Sequence, residues 1–177
     1  MGGKMTEEEM AEPILSVRDL SVMRSGEEVV EGISIEIRKG EFVGLVGPNG
    51  SGKTTLLLAI LGVLKPLKGE VLVYGNEPAS KQNLGMVGWV PQAASEVPKN
   101  IHITVRELIQ LGTLNQDNYL MRMDRRRAEK VEKSLEMTGL TEMAETDVSR
   151  LSGGQLQRAV IGRALASEAE FVLLDEP

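Results

Sequence analysis

Eight consecutive residues, Gly47, Pro48, Asn49, Gly50, Ser51, Gly52, Lys53 and Thr54, satisfy G-x-x-x-x-G-K-[ST] at every fixed position. Glycines at those spacings let backbone N–H groups turn inward, where they can cradle phosphate oxygens. A helix that starts there adds the positive end of its dipole. Lys53 would reach the terminal phosphates of a bound nucleotide, and the Thr54 hydroxyl would ligate Mg2+. The plainer reading is a glycine-rich turn with no ligand; the flanking sequence argues against it. Before the loop, residues 42–46 form a dense apolar run that reads as a fully buried strand. After it, a helix pattern begins at Thr54 with Leu56, Leu57, Ile60 and Leu64, and Pro66 stops it.

Two further groups of residues could do chemistry. Leu173, Leu174, Asp175 and Glu176 put two carboxylates at the C-terminal end of an apolar strand, the edge of a parallel sheet where ligands bind. Asp175 is suited to hold the magnesium, often through water. Glu176, one step further toward the phosphates, is suited to polarise an attacking water. A lone Asp-Glu is more commonly a solvated strand end; beside a phosphate loop the functional reading gains weight. Leu151, Ser152, Gly153, Gly154 and Gln155 form the other group. Ser152 can cap the helix that follows, and the glycines leave its first N–H groups bare, which makes a second anion site. The bland alternative is an ordinary helix start.

The remaining pattern supplies the elements that must hold these residues. Ile33, Ile35 and Ile37 alternate with Ser34 and Glu36, a half-buried strand. Residues 71–74 and 87–90 are further strand candidates, and residues 171–174 a buried one. Thr104 and Glu107 make a capping box that opens a helix carrying Leu108 and Leu111. Ala128, Val131 and Leu135 form a helical stripe ending at Gly139, a C-cap. Residues 93–150 thus read as helical, between strand-rich ends. A last helix runs over residues 154–167 with Leu156, Val160 and Ala164 on one face. Arg125, Arg126 and Arg127 read as a solvated helix face, or as a contact for a partner's loop. His102, the only histidine, reads as structural or exposed.

Composition bounds the rest. At 177 residues, with 41% hydrophobic and 26% charged residues, one soluble globular domain is the default. Aromatic residues make up 3%, so the core must come from aliphatic side chains. The absence of cysteine excludes disulfides and thiolate metal sites. A net charge of -6 argues against a nucleic-acid partner. The longest apolar run, residues 56–61, falls far short of the ~20 residues a membrane span needs. Residues 1–12 read as an acidic, solvated tail; their start matches the loose myristoylation pattern.

In order and spacing, the phosphate loop, Gln92 after Val90 and Pro91, the Leu-Ser-Gly-Gly-Gln run and the strand ending in Asp175, Glu176 and Pro177 resemble the ATP-binding cassette (ABC) ATPases. The likeness spans nearly everything from Ile14 onward. It implies an α/β fold: a P-loop NTPase core sheet, an N-terminal antiparallel β subdomain and an inserted α-helical subdomain. The core would be residues 13–92 and 156–177, and the helical subdomain residues 93–155. It implies ATP and Mg2+ as ligands, with residues 47–54 and Thr55 on the phosphates and Thr54, Gln92 and Asp175 around the metal. Gln92 would also touch the nucleophilic water and sense a membrane permease. Two such domains would pair head to tail, Ser152, Gly153, Gly154 and Gln155 of each covering the other's ATP. The implied protein is a peripheral ATPase subunit on the cytoplasmic face of the membrane, powering a transporter. Residues 101–108 resemble importers of metal ions, metal chelates or cobalamin.

Two departures stand out. The family's adenine-stacking aromatic aligns with Arg24, whose guanidinium plane either stacks on the base or lies as a solvated loop residue. The family also continues past the Asp-Glu pair, with a strand lying between the phosphate-loop strand and the Asp-Glu strand and then a histidine on the terminal phosphate. Residues 1–177 alone are therefore expected to fold poorly and to lack turnover. Two other classes compete with the transporter: chromosome-maintenance or repair ATPases, and a nucleotide-binding regulatory module without turnover. Only 99 positions separate Lys53 from Ser152, too few for the long coiled coil of the first class. Glu176 argues against the second, and the absence of the family's later strand and histidine argues for it.

Overall fold

The structure, a computed structural model, describes residues 12–91, 102–114 and 123–175. Gln92 and Glu176 lie outside the described residues, as does the N-terminal tail up to residue 11. The chain divides into two compact units, one ending at Leu84 and one beginning at Gly85.

The first unit is built on a hairpin. Strand β1 (Leu15–Arg24) turns through Ser25 (φ 54°) and Gly26 (φ 88°) into β2 (Glu27–Ile37). Two successive left-handed residues give the turn twist that matches the strands. β1 also pairs with β3 (Lys68–Val73), giving an antiparallel sheet in the order β2-β1-β3, with Leu15 opposite both Ile37 and Val73. The alternation expected in residues 33–37 is present in β2: Ile37 is buried while Ser34 and Glu36 face solvent. In β1 the register shifts between Val17 and Leu20, where Asp19 takes φ 46°. The irregularity keeps Leu20 and Val22 on the side that Leu15 and Val17 bury; an unbroken pleat would have put them on the other face.

Helix α1 (Lys53–Ile60) packs across this sheet and buries Leu56, Ala59 and Ile60. Its end differs from the expected stop at Pro66. Gly62, at φ 74°, terminates it, with Gly62 N donating to Ala59 O at 2.9 Å and Val63 N to Leu58 O at 2.9 Å. These are the two bonds of a Schellman cap, which only a residue at ease in the left-handed region closes without strain.

The run over residues 42–46 is also not the buried strand that its composition suggests. No described strand pairs with it, and Phe42 and Val46 are 94% and 95% exposed. Apolarity makes a segment fit to be buried, but a strand forms only where a neighbour supplies the other half of its hydrogen-bond ladder.

In the second unit, β4 (Val87–Val90) and β5 (Phe171–Leu174) pair in parallel, Val87 opposite Phe171 and Val90 opposite Leu174. Three helices accompany them: α2 (Val105–Leu111), α3 (Arg125–Thr138) and α4 (Gly153–Ala166). They enclose an aliphatic core containing Val105, Ile109, Val131, Leu135, Leu140 and Ala159. The Thr104–Glu107 capping box is formed in both directions, and Gly139 ends α3 at φ 65°. Gly112 follows α2 where the backbone of α4 comes so close that a Cβ would fall 1.9 Å from Arg163 O. One side chain of the arginine run is misread by its pattern. Arg125 and Arg126 are exposed, but Arg127 is 6% exposed and its Nε donates to Thr113 Oγ1 at 3.1 Å. Its position three residues after the cap, Asp124, turns it inward onto the end of α2.

Candidate functional site

The phosphate loop belongs to the first unit. Gly50 and Gly52 take φ of 83° and 89°, a conformation only glycine adopts freely, so two of the motif's three glycines are demanded by backbone geometry. A Cβ on Gly52 would also lie 2.9 Å from Val29 O, so this glycine lets β2 approach the loop. The first intrahelical bond of α1 is Leu56 N to Gly52 O at 2.8 Å. The N–H groups of Lys53, Thr54 and Thr55 are therefore outside the helical ladder, at the positive end of the dipole. The first turn of α1 holds no acidic residue. Lys53 Nζ reaches back over the loop, donating to Gly47 O at 2.9 Å and Pro48 O at 3.0 Å. A cation beside the unbonded N–H groups at the start of α1 suits a polyanion.

Arg24 joins this arrangement in a way the sequence does not disclose. It ends β1 beside the hairpin turn, and its Nη1 donates to Thr55 Oγ1 at 3.3 Å. Thr55 is 2% exposed, so it anchors the arginine from below while the guanidinium stays open to solvent.

The second unit carries the other candidates. Asp175 follows β5, and its N–H continues the parallel ladder by donating to Val90 O at 3.0 Å. It is 3% exposed, so its carboxylate lies at the carboxyl end of this parallel pair rather than in bulk water. Ser152 and Gln155 form a complete capping box: Ser152 N donates to Gln155 Oε1 at 2.8 Å and Gln155 N to Ser152 Oγ at 3.4 Å. That leaves the Gly153 and Gly154 N–H groups outside the helix's own bonds, and nothing lies within 4 Å of a Cβ at either position. The bare helix start read from the sequence is therefore present. Gln155 also donates from Nε2 to Met143 Sδ at 3.4 Å, a tie no sequence pattern signals.

His102 is exposed, with Nδ1 3.2 Å from Asp147 Oδ2. Asp147 accepts from Ser149 Oγ at 2.5 Å and Ser149 N at 2.8 Å, and these bonds, then His102, hold its carboxyl below the usual range. Among the described residues no cluster of three or more His, Cys, Asp or Glu could hold a metal ion, and no helix is long and apolar enough to cross a membrane.

One unit thus carries the glycine turn of residues 47–54 and the other a capped, glycine-rich helix start. The ABC transporter family model matches residues 30–177, and the chain belongs to that family. It is 38% identical over 152 residues to a probable metal transport system ATP-binding protein of Chlamydia pneumoniae, covering 86% of this chain and 62% of the relative. It is 34% identical over 164 residues to the zinc uptake system ATP-binding protein ZurA of Listeria monocytogenes, covering 93% of this chain and 64% of that protein. Among solved structures it is similar to a nucleotide-free ATP-binding cassette from an ABC transporter, with a TM-score of 0.74 and 27% identity over 93% of this chain and 69% of that one. The chain thus spans just under two thirds of the length of these curated relatives.

Proposed function

We propose that this chain is the ATP-binding and ATP-hydrolysing part of an ABC transporter that imports metal ions or metal chelates. The observation that carries the reading is the loop of residues 47–54, with left-handed Gly50 and Gly52, a lysine folded over it and the open start of α1 behind it. The cargo class rests on the metal and zinc transport names of the relatives.

In this reading Gly47, Pro48, Asn49, Gly50, Ser51, Gly52, Lys53, Thr54 and Thr55 hold the phosphates, and Arg24 lies against the base. Ser152, Gly153, Gly154 and Gln155 offer a second set of N–H groups to the nucleotide of a paired copy. The residues assigned to Mg2+, Thr54, Gln92 and Asp175, carry oxygen donors, the atoms that ion prefers, and Mg2+ is commonly bound through one or two carboxylates together with phosphate. Bound there, the ion would neutralise phosphate charge. Glu176 and Gln92 keep the roles assigned from sequence: Glu176 polarises the attacking water, and Gln92 contacts metal and water. Residues 13–92 and 156–177 form the nucleotide-binding core and residues 93–155 the helical subdomain. The partners are a membrane permease and a second copy of the domain, with no nucleic acid, at the cytoplasmic face of the membrane.

The test is Lys53→Ala. It removes the one side-chain cation of the loop and should abolish tight ATP binding in a fluorescent-nucleotide titration. Unchanged affinity would remove the central claim.

A further inference from the structure

Residues 102–106 and 144–148 come from either side of α3 yet are fastened to each other. Val105 N donates to Thr146 O at 3.0 Å, Arg106 N to Ala144 O at 2.9 Å and Val148 N to Ile103 O at 2.9 Å, while Thr104 and Asp147 form an antiparallel bridge. Val105 and Val148 are buried beneath this clasp. Above it, the Arg106 guanidinium spans two carboxylates. Its Nε donates to Glu145 Oε1 at 2.6 Å, and its Nη1 donates to Glu132 Oε1 of α3. Glu145 and then Glu132 hold the pKa of this guanidinium above its ordinary value, a response to the same geometry.

The clasp ends four residues before Ser152. The intervening turn, Val148–Arg150, is capped by Asp147. Gln155 reaches back to Met143, just before the clasped segment. The start of α4 therefore has little freedom of its own: its height and direction follow from where residues 144–148 are held.

We propose that Arg106 is a positioning residue for Ser152, Gly153 and Gly154, setting the angle at which their N–H groups meet the nucleotide of a paired copy. The inference rests on the reading proposed above for Ser152, Gly153, Gly154 and Gln155, the signature run, as facing the nucleotide of a paired copy. A planar fork bonded to two carboxylates on two different segments fixes a direction that one contact would not. Ion pairs this exposed contribute little to folding. Their loss should therefore appear in the geometry of the site and not in the melting temperature.

The experiment uses the full-length chain assembled with its permease. Arg106→Gln should raise the KM for ATP in turnover by about fivefold or more, the lower end of ordinary coupling between sites. Nucleotide affinity of the unassembled full-length chain should stay unchanged, and its melting temperature should move by no more than about 2 °C. The charge-exchanged pair Arg106→Glu with Glu145→Arg should recover part of the KM. A KM at the wild-type value, or a loss of activity that tracks a large fall in melting temperature, overturns the proposal. Gly154→Asp, which puts a carboxylate among the bare N–H groups, separates the two readings. If it raises KM while Arg106→Gln does not, the signature reading stands and the positioning role is wrong. If neither variant changes KM, the signature reading has failed and the positioning role falls with it.

Discussion

Arg24 Nη1 donates to Thr55 Oγ1 at 3.3 Å, which ties the end of the β1–β2 hairpin to the first turn of the phosphate-loop helix. The guanidinium is thereby held beside the first turn of α1 instead of sweeping through solvent. A plane held there can lie against a purine. Arg24→Ala should weaken ATP binding by about 0.5–2 kcal/mol, the range for a cation over a π face. Inorganic triphosphate, which has no base, should bind as before. Equal losses for both ligands would mean that Arg24 acts as a phosphate charge and that stacking plays no part.

Glu176→Gln, in the full-length chain, should stop ATP turnover while leaving ATP bound in a stable dimer. The amide keeps the shape of the carboxylate but cannot polarise water. Size-exclusion chromatography with ATP reads the dimer. A variant that stays monomeric, or one that turns over normally, would contradict the role.

The glycines of the second unit divide by what surrounds them. Gly112→Ala brings a Cβ to 1.9 Å from Arg163 O, so α2 or α4 must shift. A loss of about 1–3 kcal/mol is expected, the usual cost of overpacking. Gly153→Ala meets nothing within 4 Å and gains helix propensity, so stability should hold or rise by up to about 1 kcal/mol. Urea unfolding of both variants checks the contrast. Equal effects would mean that the close approach of α2 to α4 does not exist in solution.

Two carboxylates give the fold an acid-sensitive component. Asp147 lies below its ordinary 3.8 because Ser149 and His102 bond to it, and Glu168 lies below its ordinary 4.5 because Lys130 does. Both groups favour folding while ionised. That contribution is complete above the ordinary values and fades as pH falls through the lowered ones. The melting temperature of Asp147→Asn should therefore be below wild type at pH 7, and the gap should close as the pH is taken below 3.8. A gap that stays constant across that range would show that the carboxylate charge is not what Ser149 and His102 stabilise.

Local chemistry was legible where a short pattern encodes it. The Thr104–Glu107 box, the Ser152 cap, the Gly139 cap and the alternation in β2 all depend on residues a few positions apart, and all are present; the return bond from Gln155 that completes a box at Ser152 goes beyond the cap expected there. Pro66 is the stronger helix breaker and masks the stop at Gly62, which comes first and can close the cap. A run of arginines says nothing about which member faces a neighbouring helix, so the inward turn of Arg127 onto Thr113 leaves no trace in the pattern. The tie from Arg24 to Thr55 spans 31 positions and the clasp at Arg106 reaches 39 to Glu145, and no single-sequence pattern records such distances. Within the candidate site, the glycine turn before α1 and the cap at Ser152 follow from local pattern; the ties that brace them do not.

The bare apolar stretch over residues 42–46 has a consequence for the protein as a colloid. Phe-Val-Gly-Leu-Val contains no charge and no proline, and two of its large side chains are almost wholly in water. A short, neutral, β-prone segment that pairs with no described strand can recruit the same segment from another molecule and stack. Glu41 on one side and Pro48 on the other act as gatekeepers, one by repulsion between copies and the other by lacking a donor. Solutions of this chain should grow turbid with concentration more steeply in high salt, where the Glu41 charge is screened, than in low salt.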